Sequence, residues 1–286
     1  MPELPEVEVV RLGLAKHIQQ HTIAEVEVLH PRAVRGIAGG AEELRALVEG
    51  ATITTVARRG KFLWLELGEH LPGEPAVVVH LGMSGQMLLK TDADPKSRHL
   101  RIRARLNDGR QLWFVDQRTF GYWRSTELLD SDDGIVPATV THIARDLLDP
   151  ELDFDNVAAR LRSRDAEIKK LLLQQEIISG IGNIYADEML WAAQIHPQRK
   201  ASAIPTTQLV ELLLAGKGVM QRALAQGGTS FDELYVNVNG ESGYFAVSLN
   251  AYGQTDQPCA RCGTEIVRVK FTNRSSHFCP SCQRLP

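Results

Sequence analysis

Pro2 stands one residue inside an initiator Met1, in the opening run Met1-Pro2-Glu3-Leu4-Pro5-Glu6. Cells commonly trim Met before a small residue, which would leave the secondary amine of Pro2 as the chain terminus. Such an amine titrates near neutrality, at roughly 7.7–8.0, and its free form can attack carbon at neutral pH. Glu3 and Glu6 are three apart beside it, so from Pro5 onward they point roughly the same way, next to the positive end of a helix. Two readings fit these six residues. Either the prolines stiffen a helix start whose dipole the glutamates balance, or Pro2 is a nucleophile with acid partners at hand.

A second reactive cluster lies at the other end. Cys259-x-x-Cys262 and Cys279-x-x-Cys282 hold all four cysteines in the last 28 residues and enclose 16 residues. In a cytosolic setting this spacing reads as one structural Zn2+ on four thiolates rather than as disulfides. Between the pairs, Thr264–Phe271 and Ser276–Phe278 flank Asn273-Arg274, a hairpin with a basic tip. From Asp256 to Pro286 five Lys/Arg stand against two acids. So small a module cannot hold a large core and presents a surface instead. Nucleic acid is the favoured occupant; a protein partner is the alternative.

Arg98–Arg124 carries seven arginines against Asp108 and Asp116, with Trp113, Phe114, Phe120, Tyr122 and Trp123 interleaved. Arg101, Arg103 and Arg105 alternate, which on a strand puts them on one face. Phosphate contact with base wedging fits this stretch, and so does a solvated strand face over core aromatics. His80-Leu81-Gly82-Met83-Ser84-Gly85 reads as a tight turn exposing Met83. Ser179-Gly180-Ile181-Gly182-Asn183 can offer backbone N–H groups to an anion at a helix start.

The elements that must position these residues follow the hydrophobic periodicity. Val7, Val10, Leu14 and Ile18 mark a first helix from Pro5, with Gly13 its weak link. Strands are predicted at Ile23–Leu29, Thr52–Arg58, Lys61–Leu67, Ala76–Leu81, Gln86–Lys90, Leu100–Leu106 and Gln111–Asp116, and a short helix at Ala41–Glu49. Their spacing suggests an antiparallel sandwich or barrel. Around Leu129–Thr141 a polar, turn-rich stretch reads as a linker, and the pattern then turns helical to Gly227. Helices are predicted from an Asp153 or Asp155 cap through Arg162, at Glu167–Gln175, at Ile184–Ala193, and from a Thr206 or Thr207 cap toward Gln226. Gly228–Tyr252 is Gly/Asn/Ser-rich and reads as a mobile loop. A net charge of −3 gives no global sign of nucleic-acid binding, so any such claim must rest on local charge. No apolar run approaches the roughly 18 residues of a membrane span, and the acidic start is unlike a signal peptide. A soluble, cytoplasmic protein is expected.

Taken together these pieces resemble the formamidopyrimidine-DNA glycosylases over nearly the whole chain. The resemblance is carried by Met1-Pro2-Glu3-Leu4-Pro5-Glu6-Val7-Glu8, Arg59-Gly60-Lys61, His80-Leu81-Gly82-Met83-Ser84-Gly85 and Asp116-Gln117-Arg118-Thr119-Phe120-Gly121. Further along come Gly180-Ile181-Gly182-Asn183-Ile184-Tyr185-Ala186-Asp187-Glu188, Gly227-Gly228-Thr229-Ser230, Gly243-Tyr244-Phe245 and the cysteine pairs around Asn273-Arg274-Ser275. The sister endonuclease VIII type usually has Gly where this chain has Leu4, so Leu4 and the Gly227–Phe245 loop favour the oxidised-purine branch.

The resemblance implies an α+β multidomain protein with DNA bound in a cleft. An N-terminal catalytic antiparallel β-sandwich with flanking helices would occupy 1–128, and a linker 129–140. A helix–two-turn–helix DNA-binding domain would follow at 141–252, with a lesion-recognition loop at about 228–250, and a zinc-finger β-hairpin at 253–286. Pro2 would attack C1′ of the damaged nucleotide; Glu3 would be the general acid/base, and Glu6 would orient or assist it. Lys61 would be the β-elimination acid and a phosphate ligand, and Arg274 the δ-elimination acid, clamping a phosphate by its fork. Met83, Arg118 and Phe120 would fill the hole left by the extruded base, Arg118 reading the orphaned cytosine. His99 and Arg164 would contact DNA, and Lys169 and Asn183 would hold phosphates.

This chain departs from the family pattern at Gln117 and Thr119, where Pro and Arg are common, at Gln174, where an acid is common, and around His99, where a second His is usual. The expected function is a bifunctional base-excision-repair glycosylase/AP lyase acting on 8-oxoguanine opposite cytosine and on formamidopyrimidines in damaged double-stranded DNA. An endonuclease VIII-type pyrimidine glycosylase or a catalytically silent zinc-finger paralogue are the alternatives. A bacterial, nucleoid-associated monomer is expected.

Overall fold

The structure, a computed structural model, describes residues 2–228, 238–239 and 248–285. The chain divides into two compact units, Met1–His142 with Gly227–Tyr244, and Ile143–Gln226 with Phe245–Pro286.

The first unit opens with α1 (Leu4–Ile18), capped by Glu3 in extended conformation. Leu4, Val7, Val10, Leu14 and Ile18 recur at helical spacing and are buried. Gly13 has its own reason: a Cβ there would sit 2.7 Å from Val238, so the close approach excludes a side chain. After β1 (Ile23–Val28) comes α2 (Gly40–Val48), followed by Gly50 at φ +81°, the left-handed conformation that glycine supplies at a helix end. The strands β2 (Thr55–Arg59), β3 (Phe62–Glu66), β4 (Pro75–His80), β5 (Gly85–Lys90), β6 (Leu100–Leu106) and β7 (Gln111–Asp116) match the predicted set within one residue, except that β2 starts three residues later than expected.

The strand ladders of this unit are antiparallel among the described residues. One sheet runs β1-β6-β7-β5 and the other β2-β3-β4, continued by β8 (Tyr122–Leu129) and β9 (Val136–Pro137). Residues of both sheets, such as Ile102 and Phe114 from one and Leu63 and Val79 from the other, share one core with α1. The unit is a β-sandwich with flanking helices.

Two elements fall where no strand was expected. β8 pairs with β4 from Tyr122 to Glu127, and its Trp123 is fully buried. Its sequence Tyr-Trp-Arg-Ser-Thr-Glu-Leu-Leu breaks strict alternation, which hid it. Within 129–140, expected as a linker, β9 pairs with β8 and Val136 and Val140 are buried.

In the second unit, α3 (Phe154–Arg162) takes its cap from Asp153, whose carboxylate accepts the Asn156 N–H. It is followed by α4 (Ile168–Leu172), α5 (Asn183–Ala192) and α6 (Thr206–Ala225). No threonine side chain caps α6, which starts after Pro205 instead. Gly216 in mid-helix is weak for helix formation, but a Cβ there would meet Met189 of α5 at 2.7 Å, so it sets how closely the helices approach. The hairpin β10 (Val267–Phe271) and β11 (Arg274–Phe278) closes through Thr272-Asn273, with Thr272 at φ +52°. No helix among the described residues is long and apolar enough to cross a membrane.

Candidate active site and zinc hairpin

The terminal residues sit where helix physics holds them. The Glu6 carboxylate accepts the Glu3 N–H at 2.9 Å in a reciprocal capping box, and both side chains are buried, at 6% and 3% exposure. Pro2 is buried and lines a crevice with Val7, Lys61, His80, Leu81 and Gly82. Gly228, at φ +86°, lies against Glu6: a Cβ there would meet Glu6 Cγ at 3.3 Å. Thus Pro2 and Lys61 share one crevice, and Glu3 and Glu6 follow Pro2 at the capped start of α1.

His80, which the sequence reading passed over as part of a turn, belongs to the same crevice. Its Nδ1 accepts the Gly82 N–H at 3.0 Å, which places any ring proton on Nε2. Burial first, then the charges of Lys61 and Arg35, push its pKa down to about 4. The ring is neutral at physiological pH.

Met83, Arg118 and Phe120 also come together, exposed on adjoining turns. Arg118 Nη1 lies 3.8 Å from Met83 Sδ. Beneath them Asp116, fully buried, accepts Ser84 Oγ–H at 2.5 Å, the Gly121 N–H at 2.7 Å and the Arg118 N–H at 3.2 Å. One carboxylate therefore ties the turn bearing Met83 to the turn bearing Arg118 and Phe120. His99 joins this end of the sheet through Arg101, which donates from Nε to the Asp116 carbonyl at 2.8 Å. Partial burial and the neighbouring Arg98 and Arg101 hold the His99 pKa below its ordinary value.

The arginine-rich strand splits into two populations. Arg101, Arg103 and Arg105 do share a face, but Arg103 pairs with Glu27 at 2.5 Å and Arg105 with Glu25 at 3.6 Å across β1. Arg110 pairs with Asp108, and Trp113, Phe114 and Trp123 are buried. For these residues the solvated face over core aromatics is the reading that fits.

In the second unit the structure corrects the expectation for Lys169. Its side chain is wholly buried, so it presents no ammonium to an exposed phosphate. Its Nζ donates to Asp187 Oδ1 at 2.6 Å and to the Ser275 carbonyl at 3.1 Å, over the ring of Phe271. Asp187 also accepts from Ser276 Oγ, His277 N and His277 Nδ1 at 2.9 to 3.2 Å. Asn183 Nδ2 donates to the same Ser275 carbonyl at 3.0 Å. α4 and α5 thereby grip β11 one residue beyond exposed Arg274. Arg164 is exposed just after α3.

Glu188, the next residue on α5, accepts the backbone N–H groups of Asn250, Ala251 and Tyr252 at 2.8 to 3.0 Å. Burial raises its pKa against those three donors. Neither acid was singled out from the sequence, although two adjacent acids in an otherwise apolar helix were the available signal. The lesion-recognition loop expected at about 228–250 lies almost entirely outside the described residues.

The four cysteines converge. Their Sγ atoms lie within 4.8 Å of one another, with Cys262 3.5 Å from Cys279 and 3.4 Å from Cys282. Zinc–thiolate bonds of ~2.3 Å in a tetrahedron set sulfurs about 3.8 Å apart, so these residues fit the ion. Trp191 Nε1 donates to Cys259 Sγ at 3.4 Å, a bond that favours the thiolate.

A β-sandwich in which Pro2 precedes a capped helix and shares a crevice with a lysine, and a helical unit carrying a four-thiolate hairpin, define the class. Three family profiles match in order. They are the formamidopyrimidine-DNA glycosylase N-terminal domain at 1–123, the formamidopyrimidine-DNA glycosylase H2TH domain at 143–233, and the zinc finger found in FPG and IleRS at 256–285. The chain is 59% identical to the formamidopyrimidine-DNA glycosylase of Corynebacterium glutamicum strain R, covering 99% of each chain. It is 60% identical to that of Corynebacterium efficiens, covering all of both. Among solved structures, a complex of the Lactococcus lactis Fpg with abasic-site DNA is similar at TM-score 0.84 and 32% identity, over 99% of this chain and 100% of that one. The chain belongs to the formamidopyrimidine-DNA glycosylase family, and its four cysteines bind one structural zinc.

Proposed function

We propose that this chain is a base-excision-repair DNA glycosylase and AP lyase that removes oxidised purines, chiefly 8-oxoguanine opposite cytosine and formamidopyrimidines. The observation that carries the reading is the Pro2 crevice, which buried Pro2 lines together with Lys61, followed directly in the chain by the buried capping pair Glu3 and Glu6.

Once Met1 is removed, the Pro2 nitrogen attacks C1′ of the damaged nucleotide as the C1′–base bond breaks. Glu3 supplies and recovers protons as the sugar opens and the base leaves, with Glu6 fixing Glu3 through its amide. Because the amine is secondary, the adduct is an iminium whose charge needs no added proton. That electron sink acidifies the C2′ hydrogen; its loss expels the 3′ phosphate, with Lys61 as acid. A second elimination, served by Arg274, expels the 5′ phosphate. With both phosphates gone, water hydrolyses the iminium, releasing the unsaturated five-carbon sugar remnant as an aldehyde and freeing the Pro2 amine.

Met83, Arg118 and Phe120 fill the vacated stack, while His99, Arg118, Arg164 and Asn183 hold DNA. Zinc shapes the hairpin that carries Arg274 and takes no part in bond making. Residues 1–128 serve catalysis, 141–252 and 253–286 the grip on damaged double-stranded DNA. The protein works as a monomer at the bacterial nucleoid.

A panel of lesion duplexes tests the substrate. Excision of 8-oxoguanine opposite cytosine ahead of thymine glycol is expected. The reverse order would make the chain an endonuclease VIII-type enzyme, and inertness on every duplex a silent DNA-binding paralogue.

A further inference from the structure

Arg35 follows a 3₁₀ turn, Pro31–Val34, whose Ala33 and Val34 are buried and fix it to the sandwich. Its guanidinium makes no acid pair among the described residues. Nη2 donates to the Phe120 carbonyl at 2.7 Å, and Nη1 to the Gly121 carbonyl at 2.9 Å and the Arg32 carbonyl at 2.9 Å. On the opposite edge of the Phe120–Gly121 peptide, the Gly121 N–H is bound by buried Asp116. This peptide unit is therefore gripped at its oxygen by Arg35 and at its nitrogen by Asp116.

Arg35 also reaches the second turn. Its Cζ lies 4.6 Å from the Tyr122 ring centre, Tyr122 stacks on His80 at 5.4 Å with planes 10° apart, and His80 accepts the Gly82 N–H. Gly82, at φ +64°, is pressed against Phe120–Gly121, where a Cβ would come within 2.6 Å of backbone. The preceding Thr119 sits at φ +55°, a conformation that costs energy for a β-branched residue and needs outside support.

We propose that Arg35 is a positioning residue for base extrusion: its fork holds the Phe120 turn, and its stack on Tyr122 holds the Met83 turn, so the void-filling side chains are set before DNA arrives. This rests on the reading of Met83, Arg118 and Phe120 as the residues that occupy the emptied stack. A planar five-donor fork suits two adjacent carbonyls and a ring face at once, which a lysine cannot match. Preorganisation matters most where a base must leave an intact stack, and least where no base remains to be extruded.

The test compares wild type, Arg35→Ala and Arg35→Lys on an 8-oxoguanine·cytosine duplex and on the same duplex with a preformed abasic site, in single turnover. Both variants should lose about tenfold or more in excision yet stay within about threefold of wild type on the abasic duplex. In a Phe120→Ala background, Arg35→Lys should add little further loss, because the two act through one device. The salt slope of duplex binding should not change.

Three results would overturn the inference: full activity in Arg35→Lys, equal losses on both duplexes, or a salt slope reduced by about one, the sign of a plain phosphate contact. If Arg35→Ala unfolds, Arg35→Lys and the double variant still decide. A wild type inert on both duplexes would sink the functional reading itself; an active wild type with insensitive variants would sink this inference alone.

Discussion

Lys169 Nζ and Asp187 Oδ1 form an ion pair 2.6 Å apart with neither side chain exposed to solvent. A buried pair broken on one side leaves an uncompensated charge, at a cost of about 3–5 kcal/mol. Asp187→Asn or Lys169→Ala should therefore lower the urea midpoint strongly and loosen β11, with Arg274 function lost as a consequence. A phosphate ligand would behave in the opposite way. Its loss would reduce the salt slope of DNA binding by about one and leave stability nearly unchanged.

Glu188 serves the segment that follows. Glu188→Gln keeps the side-chain length but offers an NH2 where three backbone N–H groups converge, so at least one donor loses its acceptor. A loss of about 1–3 kcal/mol in unfolding free energy is expected, together with faster hydrogen exchange at Ala251 and Tyr252. Unchanged exchange at those amides would contradict the anchoring role.

The depressed pKa of His80 gives stability a defined pH dependence. The unfolded chain takes up this proton near the ordinary 6.5, the folded chain only near 4. The unfolded state thus binds more protons between these values. The contribution of His80 is complete above about pH 6.5 and falls away as pH drops toward 4. Denaturant midpoints measured across that range should decline with falling pH, and His80→Asn, whose Oδ1 can still accept the Gly82 N–H, should flatten the decline. An identical pH profile in the variant would count against a buried neutral imidazole.

Zinc removal should act on the hairpin alone. A chelator is expected to release one zinc per chain, measured by a colorimetric dye, and to weaken duplex binding and strand cleavage as Arg274→Ala does. Binding unaltered by metal loss would show that the hairpin does not meet DNA.

Much of this was legible in the sequence because local rules govern it. α1 follows from its apolar spacing, and the zinc site from two Cys-x-x-Cys pairs, whose ligands are fixed by short loops. The strands up to β7 announce themselves by β-branched runs between turns. What stayed hidden depends on distant partners. Arg103 and Arg105 look like DNA contacts until Glu27 and Glu25 appear opposite them on β1. Lys169 looks like a phosphate ligand until Asp187 closes over it. Asp116 and Arg35 grip a single peptide from two directions, 81 positions apart in the chain (116 minus 35), which no periodicity encodes. β8 was obscured because its alternation lapses at Ser125-Thr126.

The central claim, that Pro2 is the nucleophile, is tested most directly by borohydride reduction during reaction with an 8-oxoguanine duplex, followed by mapping of the cross-linked residue. A covalent adduct on the Pro2 nitrogen is predicted, absent in Pro2→Gly and in protein that retains Met1 or any residue before Pro2. An adduct on an internal lysine such as Lys61, or one that persists when the terminus is blocked, would contradict the account.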